Sequence, residues 1–188
     1  MCGRYQFSAE ENEAIREIIR QVQDQQRYSE MKTGEIYPTN VVPVLIAEGK
    51  ETNPRLLSWG FPNFRNKGVI INARAETAPE KRMFSGPLKN HRCVIPTTGF
   101  FEWDGKKQKY LFRLPSEGIM YLAGLWNTFN GEEKFVILTT APNPSIINVH
   151  NRMPVVLTPE RMNQWIDSPE TALEVLQKTP PMLVHKAV

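Results

Sequence analysis

Residues 119–140, IMYLAGLWNTFNGEEKFVILTT, hold two apolar runs, 119–126 and 134–140, with Asn and Gly between them. Short runs rich in β-branched and aromatic residues, bounded by such breakers, read as strands. Working outward, the same design recurs in VVPVLIA (41–47), VIINARA (69–75), RCVIP (92–96) and KYLFRL (109–114). Gly, Pro and Asn punctuate these runs, and the 15 prolines point to many turns and short elements. The spacing predicts an antiparallel sheet or barrel. Helices flank it. Residues 8–22 carry Ile15, Ile18, Ile19 and Val22 on one stripe, with Ser8 and Glu11 placed as a capping box. A further helical segment is expected over 79–90. Thr158-Pro159-Glu160 and Ser168-Pro169-Glu170 each put Pro after an N-cap residue, the start signal of a helix. The class is α+β, in one domain with no linker to divide it.

The 188 residues are 40% hydrophobic and 23% charged, with a net charge of +3, as in an ordinary globular protein. That mild basicity permits an anionic partner without demanding one. No apolar run approaches the ~18 residues of a membrane span. Arg4, Glu10, Glu11 and Glu13 interrupt the place where a signal peptide would be apolar. A cytoplasmic protein with reduced thiols is expected. Two cysteines make neither a disulfide framework nor a four-cysteine zinc site. The phosphate-binding, dinucleotide and zinc-protease signatures are missing, and so is C-x-x-C. Neither a cofactor nor a metal is therefore expected.

Four stretches place polar groups where structure alone does not ask for them. In MCGR (1–4), loss of Met1 makes Cys2 the first residue, with an amine and a thiol on adjacent carbons. The plain alternative is a frayed terminus. In VIINARAET (69–77), alternation puts Asn72, Arg74 and Glu76 on one face of a strand, which is either an edge strand's solvent face or a site. In IPTTGFFEWDGKK (95–107), Glu102 lies between Phe101 and Trp103. It either faces water or is desolvated, which raises a carboxyl's pKa and suits a general acid. In NPSIINVHNRMPVVL (143–157), His150 is either a satisfied core imidazole or a proton-transfer group. Cys93, inside RCVIP, reads as a buried strand residue.

An N-terminal 1,2-aminothiol adds its amine to an aldehyde, and its thiol then closes a five-membered thiazolidine. An α-amine with a pKa of roughly 7.7–8.0 is partly unprotonated at neutral pH, which lysine at about 10.4 is not. Such chemistry needs a proton shuttle, for which Glu102 and His150 are candidates, and an orienting donor, for which Asn72 is one. Arg4, Arg74 and Arg152 would serve an anionic aldehyde. The alternative is a thiol peptidase in which Cys2 attacks an amide.

MCGR, INARAET, GFFEW and HNRMPVVL, in this order over residues 1 to 157, resemble the motifs of the SRAP domain family, the SOS response-associated peptidases. The resemblance implies a compact α+β domain on a curved, mainly antiparallel sheet or barrel, spanning 1–188 without the family's usual short C-terminal tail. It implies covalent capture of abasic sites in single-stranded DNA by a monomer in the cytoplasm, associated with the nucleoid when bound. Cys2 would be the nucleophile and Asn72 would orient the amine or intermediate. Glu102 would assist sugar-ring opening and His150 would be a second acid/base. Arg4, Arg74 and Arg152 would grip phosphates. The resemblance also implies peptidase activity, with removal of the residue before the cysteine, and AP-lyase-like activity; the alternatives to capture are the thiol peptidase and a non-catalytic single-stranded DNA-binding module. Two departures are visible. Where members carry a Trp-Trp pair, GFPNFRNKGVI (60–70) keeps one aromatic position in Phe64 and has Arg65 at the other. Where many carry Tyr-Asn-x-x-Pro, this chain has EIYPTN (35–40).

Overall fold

The computed structural model describes residues 2–10, 12–48, 51–65, 67–116 and 118–188. Its strands are β1 (Arg4–Phe7), β2 (Gly34–Ile36), β3 (Val41–Glu48), β4 (Glu51–Trp59), β5 (Phe61–Pro62), β6 (Val69–Ile70), β7 (Asn72–Arg74), β8 (Arg92–Thr97), β9 (Gly99–Trp103), β10 (Lys109–Arg113), β11 (Met120–Phe129), β12 (Glu132–Thr140), β13 (Met153–Pro154), β14 (Val156–Leu157) and β15 (Val184–Ala187). The helices are α1 (Glu13–Gln21), α2 (Arg82–Asn90), α3 (Pro159–Asp167) and α4 (Pro169–Gln177).

The two runs of 119–140 form the hairpin β11–β12, paired from Gly124↔Ile137 to Phe129↔Glu132. Asn130 and Gly131 turn it with φ of 52° and 80°, the left-handed backbone that tight hairpins require. From this hairpin the sheet continues through β8, β3 and β4, and β4 returns to β12, closing a barrel. The closing contact is parallel, Lys134↔Ser58 and Phe135↔Trp59, and β7 also joins β12 in parallel. The sheet is thus mainly antiparallel, as expected, with two parallel joints on β12. Trp59 and Phe135 are fully buried and stack at 6.3 Å.

A second sheet runs β15-β10-β9-β1-β2. Tyr5 faces Phe100, and Phe100 faces Phe112; all three are 0% exposed, so this face is the one packed inward. Gly99 permits the close approach of β10, because a Cβ there would sit 2.7 Å from the Phe112 carbonyl oxygen.

The helices follow their local signals with one correction. Thr158 and Ser168 cap α3 and α4, each followed by Pro. α1 is instead capped by Asn12, whose Oδ1 accepts from Ala14 N and Ile15 N. Ser8 therefore does not cap it, and Glu11, the other half of the expected capping box, lies outside the described residues. Ile15 and Ile18 on its stripe are buried. Arg92 ties α2 and α3 to the barrel by donating to the carbonyls of Trp165, Leu88, Lys89 and Ile166. Among the described residues no helix is long and apolar enough to cross a membrane.

Candidate active site

Four segments meet where the barrel borders the second sheet. Cys2 lies just before β1, fully buried, with Sγ 3.6 Å from the Arg4 carbonyl oxygen. Asn72 opens β7, and its Nδ2 donates to the Cys2 carbonyl oxygen at 3.0 Å. Its Oδ1 is buried without a hydrogen-bond partner among the described residues. Glu102 on β9 shares the inward face of Tyr5 and Phe100 by register, and is 3% exposed. The desolvated alternative of the sequence reading is the one realised. His150 brings Nε2 to 3.9 Å from Glu102 Oε2. Its Nδ1 lies 3.0 Å from Arg152 N and 3.1 Å from Arg152 O, contacts that hold the ring with Nε2 toward the carboxyl.

The loop that presents His150 is anchored at both ends. Asn143, 2% exposed, donates to the carbonyls of Pro180 and Pro181 and accepts from Ser145 N. Arg152 grips Glu76 through both nitrogens at 2.8 and 2.9 Å and donates to Thr139 O at 2.6 Å. This expected phosphate contact thus holds an internal carboxylate. Arg4 sits on the other face of the second sheet from Glu102, beside Glu35 at 3.1 Å. Arg74 is exposed and makes no ion pair among the described residues. Phe64 is 76% exposed, its ring 6.3 Å from Phe129. Sequence reasoning passed over Glu76 as a partner, Thr139 and Asn143, whose only signal was polarity beside Pro or in a strand. Among the described residues no three His, Cys, Asp or Glu side chains are grouped to hold a metal ion.

Residues 1–187 match the profile of the family described as SOS response associated peptidase (SRAP). The chain belongs to the SRAP family. The abasic site processing protein YoqW of Bacillus subtilis (strain 168) is 36% identical over 197 residues, covering 94% of this chain and 85% of that protein. The abasic site processing protein YedK of Escherichia coli (strain K12) is 28% identical over 177 residues, covering 88% and 79%. A crystal structure of a protein from Bacteroides thetaiotaomicron shares the fold, with a TM-score of 0.78 at 23% identity over 100% of this chain and 92% of that one.

The electrostatics of this SRAP site follow from burial. Desolvation by burial pushes the Glu102 carboxyl up from its ordinary value. Burial, and then the negative charge of Glu102, push the Cys2 thiol well above its usual range. The thiol is therefore held protonated at neutral pH, a poor starting point for direct thiolate attack. What the arrangement offers is a carboxyl biased toward its acid form, an imidazole facing it, and an amide that fixes the Cys2 backbone. That set can move protons around an electrophile brought to residue 2.

Proposed function

We propose that this protein recognises abasic sites in single-stranded DNA and captures them covalently, shielding the lesion, through a thiazolidine formed with Cys2 once Met1 has been removed. The observation that carries the reading is the convergence of Asn72, Glu102 and His150 on the start of the chain. The closed deoxyribose at an abasic site is a hemiacetal. Glu102 and His150 would protonate its ring oxygen and take the proton from its C1′ hydroxyl, releasing the aldehyde. The Cys2 amine adds to that carbon, and the carbinolamine loses water to give an imine. The thiol then adds across the C=N bond, sulfur to carbon and proton to nitrogen. Only one water leaves overall. An imine nitrogen, basic where an amide nitrogen is not, can take the thiol's proton as the sulfur adds. Asn72 would orient the amine through its unpartnered Oδ1. Arg74 would contact the backbone phosphates, as would Arg4 and Arg152 once released from their carboxylates, while Phe64 would stack on a base. The protein would act as a monomer in the cytoplasm, on the nucleoid when bound.

The buried thiol weighs against the alternative of a thiol peptidase, which needs a thiolate as nucleophile. The test is incubation with an oligonucleotide made abasic by uracil excision, followed by a denaturing gel. A heat-stable, protease-sensitive adduct is expected, and intact mass should show Met1 absent. An undiminished stable adduct from Cys2→Ala would sink the mechanism. Cys2-dependent cleavage of a supplied peptide without DNA would favour the peptidase.

A further inference from the structure

On the outward face of the second sheet, Arg4, given a phosphate contact above, is grouped with Lys109 and Glu35, which the capture chemistry does not use. Lys109 Nζ bonds both oxygens of Glu35, at 2.8 and 2.9 Å, and Arg4 Nη1 reaches the same carboxylate at 3.1 Å. Aromatic faces hold both cations. Arg4 lies 4.0 Å over the Tyr37 ring and 5.5 Å from Trp103, and Lys109 lies 4.0 Å over Phe101 and 5.7 Å from Trp103. The register explains the grouping, since Arg4 faces Phe101 and Lys109 faces Trp103 across the strands. The charged side chains are 25–34% exposed, so solvent and an anion can reach them. Resting the proposal on the DNA-capture reading, we propose that Glu35 is a resident anion in a phosphodiester subsite made by Arg4 and Lys109, and that it sets the affinity for undamaged strand.

Three features support this. The two cations converge on one anion from two directions, as they would on the non-bridging oxygens of a phosphate. Their aromatic supports are independent of Glu35, so the subsite persists when the carboxylate swings out. The cluster also begins two residues from Cys2, on the strand that leads from it. With Glu35 in place the three charges sum to one positive; without it they sum to two. An intact strand gains little by displacing Glu35. A strand tethered at Cys2 through its lesion presents its phosphate at high effective concentration. The carboxylate therefore tilts binding toward damaged DNA.

The test is equilibrium binding of undamaged fluorescent oligo(dT), which holds no aldehyde, across a salt series. For a single strand each freed cation steepens the log K against log salt slope by about 0.7. Glu35→Gln is expected to show that change and to bind about fivefold tighter at 0.1 M salt. Lys109→Gln in the Glu35→Gln background should return the slope to wild type, and Glu174→Gln, on the exposed face of α4, should leave it there. Equal slopes for wild type and Glu35→Gln, or the same gain from Glu174→Gln, overturn the proposal. Should Glu35→Gln not fold, the wild type decides. The Glu35 carboxyl, which desolvation would raise but Lys109 and Arg4 hold below its ordinary value, should titrate higher by carbon NMR once an abasic oligonucleotide is captured and its tethered phosphate displaces Glu35. No movement overturns the proposal. Absence of oligo(dT) binding by both proteins would sink the DNA reading as well, whereas wild-type binding without a Glu35 effect sinks only this one.

Discussion

Glu102→Gln should separate catalysis from stability, moving them in opposite directions. The amide has nearly the shape of the carboxyl, so the β9 packing is retained, but it neither gives nor takes a proton. General acid–base catalysis contributes about 10²–10⁴-fold, which is about 3–5 kcal/mol at 1.36 kcal/mol per decade. The single-turnover rate of adduct formation on an abasic oligonucleotide should fall by that factor. Stability should rise. The side chain is 4% exposed, and burial raises the Glu102 carboxyl above its ordinary value, so folding disfavours the ionised form. A group whose folded-state value is raised contributes stability at low pH and loses it as pH rises through that folded-state value. The wild type therefore loses stability relative to Glu102→Gln on going from acid toward pH 8, and the gap closes below the ordinary carboxylate value of about 4.3. Removing one imperfectly compensated buried charge is worth about 1–3 kcal/mol, or roughly 1 M in the urea midpoint. Urea unfolding at several pH values alongside the rate reads both effects. A variant that loses rate and stability together at pH 8 would show that the carboxylate is structural. An unchanged rate would remove Glu102 from the proton path.

Arg92→Met leaves four helix-end carbonyls without their charged donor. It should destabilise the protein by about 3 kcal/mol, a fall in Tm of about 6–12 °C by calorimetry; a change below 2 °C would contradict the assigned clamp. Phe64→Ala removes an aromatic ring that is 76% exposed. It should weaken single-strand binding by about 1–3 kcal/mol if a base stacks there, with Tm unchanged; full retention of affinity would remove Phe64 from the DNA path.

Much of the fold was legible because its signals are local. The apolar runs of β3, β8, β10, β11 and β12 lie where alternation and turn residues put them, and Thr158 and Ser168 cap their helices within a few residues of sequence. The α1 cap was misplaced because Ser8 and Asn12 carry equivalent local signals, and only the observed bonds to Ala14 and Ile15 choose between them. β4 was passed over because Asn53 and Pro54 interrupt it, and its tolerance of them comes from pairing with β3. The parallel closure of β4 on β12 joins residues far apart in the chain, a contact no window of sequence contains.

The candidate site divides along the same line. The chain alone determined which groups are present: an aminothiol available only at position 2, a carboxyl between aromatics, an imidazole before Asn-Arg-Met-Pro and an amide in a strand. It left open whether Glu102 meets water. The tertiary structure decided that, because the register of β1, β9 and β10 turns Glu102 to the packed face while Phe101 and Trp103 go outward. It also decided what the arginines hold: Arg152 closes on Glu76, 76 residues earlier, and Arg4 closes on Glu35, 31 residues later. Chemical identity is a property of one residue, whereas desolvation and charge pairing are properties of what the fold packs around it.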